Sequence, residues 1–215
     1  MRENIVNFLL TILSVVFLGI GVSFSVKADI GLGSIDAFNL SWSYLTGYDI
    51  GTMTTVTNMM CVFLQILILR KNFRVRQFLQ IPVSFVLGIS ISMILTYVLS
   101  HITITHYPFQ LILAVIGYII AAISVGCMIA LNCVSSPIEA LGLVLCEKGN
   151  FNFRRFRQWY DVCLVGFAII VCSILQEALP IREGTIISIL MYAKIASWVR
   201  YKLEQTHFIK RIRIQ

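Results

Sequence analysis

Gly31-Leu32-Gly33-Ser34-Ile35-Asp36-Ala37-Phe38 in the first half of the chain is answered by Val134-Ser135-Ser136-Pro137-Ile138-Glu139-Ala140-Leu141 in the second. Each copy has a break of small residues, then isoleucine, an acid, alanine and a large apolar residue, and the offset is about 103 positions. A short apolar segment follows each motif, then Gly47 or Gly149, then a long apolar stretch with an early polar residue, Asn58 or Asp161. Identity between the halves is slight. The shared order of break, motif, glycine and stretch identifies a duplicated unit, since internal repeats of membrane proteins show only weak sequence symmetry.

The surroundings say what kind of unit this is. Of the 215 residues, 58% are hydrophobic and 13% charged, where a soluble domain carries roughly a quarter charged to coat its surface. The apolar residues come in blocks that approach the roughly 20 residues needed to cross a hydrocarbon core. Six such blocks are expected to span: Ile5–Val26, Gly51–Leu69, Phe78–Ser100, Phe109–Leu131, Gln158–Leu175 and Gly184–Val199. Arg2, the first block and Ser25-Val26-Lys27-Ala28 loosely imitate a secretory signal, but the block is longer than an h-region and reads as an uncleaved first span.

Three spans per copy is an odd number, so the second copy enters the membrane inverted. Charge gives the same answer independently. Arg70, Lys71, Arg74 and Arg76 follow span two; Arg154, Arg155 and Arg157 follow span four; Arg200, Lys202, Lys210, Arg211 and Arg213 end the chain. The other loops hold mainly Asp29, Asp36, Asp49, His101, His106, Glu177 and Glu183, with only Lys27 and Arg182 positive. Under the positive-inside rule every loop then places both termini in the cytoplasm. Trp42, Tyr44 and Tyr48 mark the outer interface, and Trp159, Tyr160, Trp198 and Tyr201 the inner one. The expected fold is an all-α membrane protein of six transmembrane helices in two inverted three-helix repeats. Repeat 1 covers about 1–104 and repeat 2 about 105–203, with a basic cytoplasmic tail over 204–215.

The formal charge of +7 therefore serves orientation and contact with anionic lipid; no basic face or motif for nucleic acid is present. Cys61, Cys127, Cys133, Cys146, Cys163 and Cys172 form no metal-ligand spacing and sit mainly in apolar blocks as small hydrophobes. His101 and His106 match no zinc motif, and no P-loop, nucleophile elbow or HExxH is present. Neither a metal, a cofactor nor an enzymatic activity is expected.

Ser34–Thr46 and Ser135–Cys146 are too short to span and too apolar for ordinary loops. Both carry helix-start chemistry: Ser34, or Ser135 or Ser136, as N-cap, Pro137 in a first turn, and an acid in each first turn. Two placements fit. The segments lie flat at opposite surfaces, or they are half-helices re-entering from opposite sides, their breaks meeting near the centre. Paired interrupted segments in inverted halves point to a transporter's binding site, and non-helical backbone at that depth is tolerated only where it lines a cavity or is buried in protein. Ionisable residues near the bilayer interior cost at least about 2.5–3.5 kcal/mol each on insertion scales, so each needs a partner or a task. The candidate substrate-binding set is Gly31, Gly33, Ser34, Asp36, Asn58, Ser135, Ser136, Glu139, Asp161 and Lys194. Each has a plainer reading: first-turn acids for Asp36, Glu139 and Asp161, helix–helix adhesion for Asn58, snorkelling or pairing with Glu139 or Asp161 for Lys194. Lys27 and Asp29 read as a surface ion pair, and Gly19, Gly21, Gly88 and Gly117 as close helix contacts.

Gly19-Ile20-Gly21, Ala28-Asp29-Ile30-Gly31-Leu32-Gly33-Ser34-Ile35-Asp36, Gly47, Gly51, Gln80-Ile81-Pro82, Gly88 and Glu183-Gly184-Thr185 together resemble the YczE/YitT-like family of bacterial membrane proteins. The chain departs from that pattern at Ser34-Ile35, where the family has proline, and at Ser90 and Ser92, where it tends to have an acid. The resemblance implies a bacterial plasma-membrane protein and brings no substrate. The function expected is a small transporter or permease that binds a polar or anionic solute near the bilayer midplane. Its rivals are a substrate-binding subunit of a multi-component importer and an accessory protein that stabilises a partner. The lipid bilayer and a small solute are the expected partners, with a homo-oligomer or a partner membrane protein as a further possibility.

Overall fold

A computed structural model describes residues 2–131, 134, 136–150 and 152–205, the side chains of 2–5, 153 and 154 excepted. Cys133, Ser135 and the tail cations Lys210, Arg211 and Arg213 lie outside the described residues. Every described element is helical. The order is α1 (Arg2–Ala28), α2 (Ser34–Thr46), α3 (Ile50–Leu69), α4 (Gln80–Met93), α5 (Tyr107–Leu131), α6 (Pro137–Gly149), α7 (Phe153–Leu175) and α8 (Glu183–Gln205). Two short turns of tighter helix, Arg70–Asn72 and Val75–Leu79, join α3 to α4, and a wider turn, Ile94–Val98, extends α4.

Five stretches are long and apolar enough to cross a membrane: Val6–Ala28, Ile50–Asn72, Val75–Val98, Tyr107–Leu131 and Arg155–Leu175. The protein is a multi-pass membrane protein. Its outward surface carries Leu9, Phe17, Phe63, Ile112, Ile174 and Ile186, all exposed, a surface that water disfavours and lipid tails accept. The sixth expected span does not join this class. It lies in α8, which has 23 residues, but Glu183, Lys194, Arg200, Lys202 and Glu204 lower its apolarity below that of the other five.

Glycines fix how the long helices meet. A Cβ on Gly21 would lie 2.6 Å from the Gly117 carbonyl oxygen, and one on Gly117 would lie 2.7 Å from that of Gly21. The α1 and α5 backbones therefore touch at their crossing, the close approach that small residues permit between membrane helices. Val15 shares a core cluster with Met128, and Ala28 shares one with Ala114, so α1 and α5 run antiparallel. Gly51 and Gly88 make a second mutual contact, between α3 and α4, which are also antiparallel because Gln65 and Gln80 meet at the far end. In α4, Val83 reaches Val15 and Ile91 reaches Val22, which sets α4 parallel to α1. In α8, Gly184 abuts Tyr118 and Ala196 abuts Gly126, which sets α8 parallel to α5.

Candidate functional site

The two short helices begin alike. Gly33 precedes α2 with extended backbone and is its N-cap, so Ser34 is the first helical residue and not the cap expected from sequence. That frees its hydroxyl, which donates to Asp161 Oδ1 on α7 at 2.6 Å. Ser136 is the N-cap of α6 and Pro137 its first helical residue, as expected, although the Ser136 side chain makes no capping bond. Both helices are 13 residues long and both end on a left-handed residue, Gly47 (φ 76°) and Asn150 (φ 51°). Gly149 is thus the last helical residue, and Asn150 takes the reversing position.

The break before α2 is held in place by protein. Leu32 N–H donates to Pro180 O at 2.8 Å, and Gly184 N–H donates to Ile30 O at 2.8 Å. Arg182 Nη1 donates to Asp29 O at 2.8 Å and approaches the Asp29 carboxyl at 3.8 Å. The ion pair expected between Lys27 and Asp29 is therefore made by Arg182 instead. Gly31 has φ 126°, and a Cβ there would lie 2.7 Å from Thr185 N, so both conformation and space favour glycine. Its carbonyl accepts a hydrogen bond from the Tyr118 hydroxyl. The backbone groups of an irregular stretch packed among helices need such partners.

From these starts the short helices run alongside long ones of the other half. Ser34 meets Asp161, while Phe38 and Trp42 further along α2 lie against Phe167, at 4.9 and 6.4 Å between ring centroids. α2 therefore climbs parallel to α7. In the other half Pro137 O accepts from Gln65 Nε2 at 3.0 Å, Ile138 and Leu141 pack with Cys61, and Lys148 donates to Ile68 O. α6 runs parallel to α3 in the same way. Two buried polar groups tie both short helices to α3: Asn39 on α2, bonded to Thr54 Oγ1 (3.2 Å) and Thr57 Oγ1 (2.8 Å), and Gln65 on α3, which besides Pro137 O reaches Gln80 on α4 at 3.1 Å.

A cavity of about 540 Å³ lies where the short helices begin. Of the candidate residues, Gly33, Ser34, Asp36, Asn58, Ser136, Glu139 and Asp161 line it. Gly31 does not; it is buried against Thr185 and Tyr118. Lys194 does not either: its side chain is exposed on α8, and it makes no ion pair with Glu139 or Asp161. The cation between those two acids is Arg157, whose Nη1 is 3.5 Å from Glu139 Oε1 and whose Nε is 3.3 Å from Asp161 Oδ2. In sequence Arg157 belongs to a basic loop cluster; its spacing of four residues from Asp161 on one helix face is the signal that ties it to the site. With the Ser34 bond, a chain of contacts runs Glu139–Arg157–Asp161–Ser34 and joins α6, α7 and α2 at the cavity. Its three charged members are each between 34% and 40% exposed, so they form a rim more than a sealed core.

Tyr118, Tyr192, Asn39, Thr54 and Ser188 also line the cavity and carry no motif that would have selected them from sequence. Its apolar wall includes Val22, Leu87, Ile91 and Met128. Among the described residues no group of three or more His, Cys, Asp or Glu is placed to hold a metal ion, and Cys61, Cys127, Cys146, Cys163 and Cys172 are free. A volume of this size, mostly apolar with a few converging polar groups, is of the kind that encloses a small organic molecule.

No curated protein and no solved structure matches the chain. The family match does not carry the YczE/YitT name. Residues 5–201 match the family of unknown function DUF6198, and the chain belongs to that family.

Proposed function

We propose that the protein is a small transporter, in which two inverted three-helix units carry a polar solute through the cavity between their broken segments. The observation that carries this reading is that the α2 and α6 N-termini open on one cavity while the helices run in opposite senses: α2 runs against α3, Asn39 meeting Thr57 and Thr46 meeting Met53, whereas α6 runs with it. Re-entrant half-helices of inverted repeats meet in this way, and helices lying flat on opposite membrane surfaces do not. Helix directions support it: α1 opposes α5, while α4 follows α1 and α8 follows α5. So does the exchange of partners, in which each short helix packs along a long helix of the other unit. Rocking one unit against the other would then open the cavity to each side in turn. The charge pattern of the loops supports a plasma-membrane orientation with both termini in the cytoplasm, in keeping with the YczE/YitT-like resemblance.

Single cysteines replacing Ser34 and Ser136, in a background without the native cysteines, test the reading. Membrane-impermeant maleimide is applied to either face of sealed, oriented vesicles. Alternating access expects each position to react from both faces. Reaction of Ser34→Cys from the outer face only and of Ser136→Cys from the inner face only would overturn it, because two surface helices would behave so.

A further inference from the structure

The charges around the cavity do not balance. Asp36, Glu139 and Asp161 bring three carboxyl groups to it, and Arg157 is the one cation among the described residues that line it. Arg157 is committed to Glu139 and Asp161. Asp36 has no hydrogen bond or ion pair among the described residues, and the Lys194 ammonium that could have answered it points elsewhere on α8. The helix N-termini do not restore neutrality. Each contributes about half a positive charge, so two N-termini and Arg157 leave about one negative charge in excess against the three acids.

A second observation is independent of the acids. Asn58 is 4% exposed and lines the cavity, yet its side-chain amide makes no hydrogen bond among the described residues. A buried polar group is normally paired, and an unpaired one opening into a cavity is a place for a ligand atom. Tyr118 and Tyr192 add two aromatic rings to the lining, and an aromatic face attracts a cation. Val22, Leu87, Ile91 and Met128 supply an apolar wall that a bare inorganic ion would not use, and no metal-binding cluster exists among the described residues.

We infer that the cavity takes an organic cation, with an ammonium or comparable positive head at Asp36 and a hydrocarbon body against the apolar wall. This rests on the transporter reading for its physiological use but not for its binding chemistry. It also narrows the solute expected from sequence: an anion would face the uncompensated Asp36.

The experiment compares three probes of similar shape on the purified full-length chain: benzyltrimethylammonium, neutral benzyl alcohol and anionic phenylmethanesulfonate. Binding is read by thermal shift and by equilibrium dialysis. The ammonium should raise the melting temperature and bind, and the other two should not. Asp36→Asn should weaken ammonium binding at least about tenfold, as loss of one member of a desolvated charge pair does, while Asp36→Glu should restore much of it. Wild-type discrimination among the probes stands even where a variant fails to fold. Binding of the sulfonate as tight as that of the ammonium, ammonium binding undiminished in Asp36→Asn, or no binding of any ammonium from tetramethyl to tetraphenylphosphonium size would each overturn the inference. Ammonium binding without uptake into proteoliposomes would leave this inference standing and count against transport. Uptake of an anion would do the reverse.

Discussion

At the residue scale Arg157 separates what holds the molecule together from what the cavity needs. Its pairs with Glu139 and Asp161, at 3.5 and 3.3 Å and about one-third exposed, belong to the range in which an ion pair contributes about 1 kcal/mol or less. Stability therefore depends little on it. Position depends on it more, because Asp161 also accepts the Ser34 hydroxyl at the start of α2. Arg157→Gln should lower the melting temperature by only a few degrees while accelerating several-fold the maleimide labelling of a cysteine at Gly33, which lines the cavity beside an intact Ser34 and has room for a side chain. A large loss of stability with unchanged labelling would mean that the pair braces the fold and does not gate the rim. Residue by residue, sequence found the acids because charges are rare in apolar stretches. It missed Arg157 because a basic residue just outside a span reads first as an orientation signal. Lys194 is exposed and away from the cavity, which suits its snorkelling reading and not its pairing one; depth in a span allows both, and which way a helix faces depends on packing that one sequence does not print.

At the scale of elements, the short helices were legible almost to the residue, since glycine, serine, proline and a first-turn acid are local signals. α2 fills the expected segment Ser34–Thr46 and differs only at its cap, which is Gly33 in place of Ser34. α6 runs from Pro137 to Gly149, past the Cys146 end expected for it, because only Asn150 reaches the left-handed conformation that stops it. The caps themselves were less legible, and α3 carries one with a measurable consequence. Asp49 is its N-cap: Thr52 N–H donates to Oδ2 at 3.0 Å and Thr52 Oγ1 donates to Oδ1 at 2.6 Å, while Ser92 Oγ on α4 donates to the same carboxyl. Partial burial pushes the Asp49 pKa up, but the hydrogen bonds from Ser92 and Thr52 outweigh it and hold the carboxyl below its ordinary value of 3.8. A lowered folded-state pKa means stability that is present above the unfolded value and is lost as pH falls through the folded one. Asp49→Ala should therefore cost about 1 kcal/mol at neutral pH, the usual worth of an N-cap. The difference from wild type should shrink as unfolding is followed down through pH 4 and below. A difference that stays constant with pH would show that the cap acts through something other than its charge.

At the scale of the whole molecule the number of crossings decides whether the two units are inverted copies. Apolarity alone counts five. Packing argues for a sixth. α8 has 23 residues and so is about 35 Å long at 1.5 Å per residue, enough for the hydrocarbon core. It also lies along α5, itself a candidate span, with Gly184 against Tyr118 near one end and Ala196 against Gly126 toward the other. We propose that α8, held parallel to a membrane-crossing neighbour at both ends, crosses with it; Lys194, exposed at the midpoint of α8 but near the Val199 end of the expected span, would turn its long stem toward the headgroups on that side. On that proposal, with the orientation that the basic loops favour, 176–182 would face outside and Gln205 the cytoplasm. Cysteines placed singly at Leu179 and Gln205, in a background free of the native ones, read this directly on intact cells. Leu179→Cys should react with an impermeant maleimide at once, and Gln205→Cys only after the membrane is permeabilised. Immediate reaction at both would lay α8 on the surface and leave the second unit one span short. α6 and α2 would then no longer be counterparts, and the cavity where they meet would lose its reason to open to both sides.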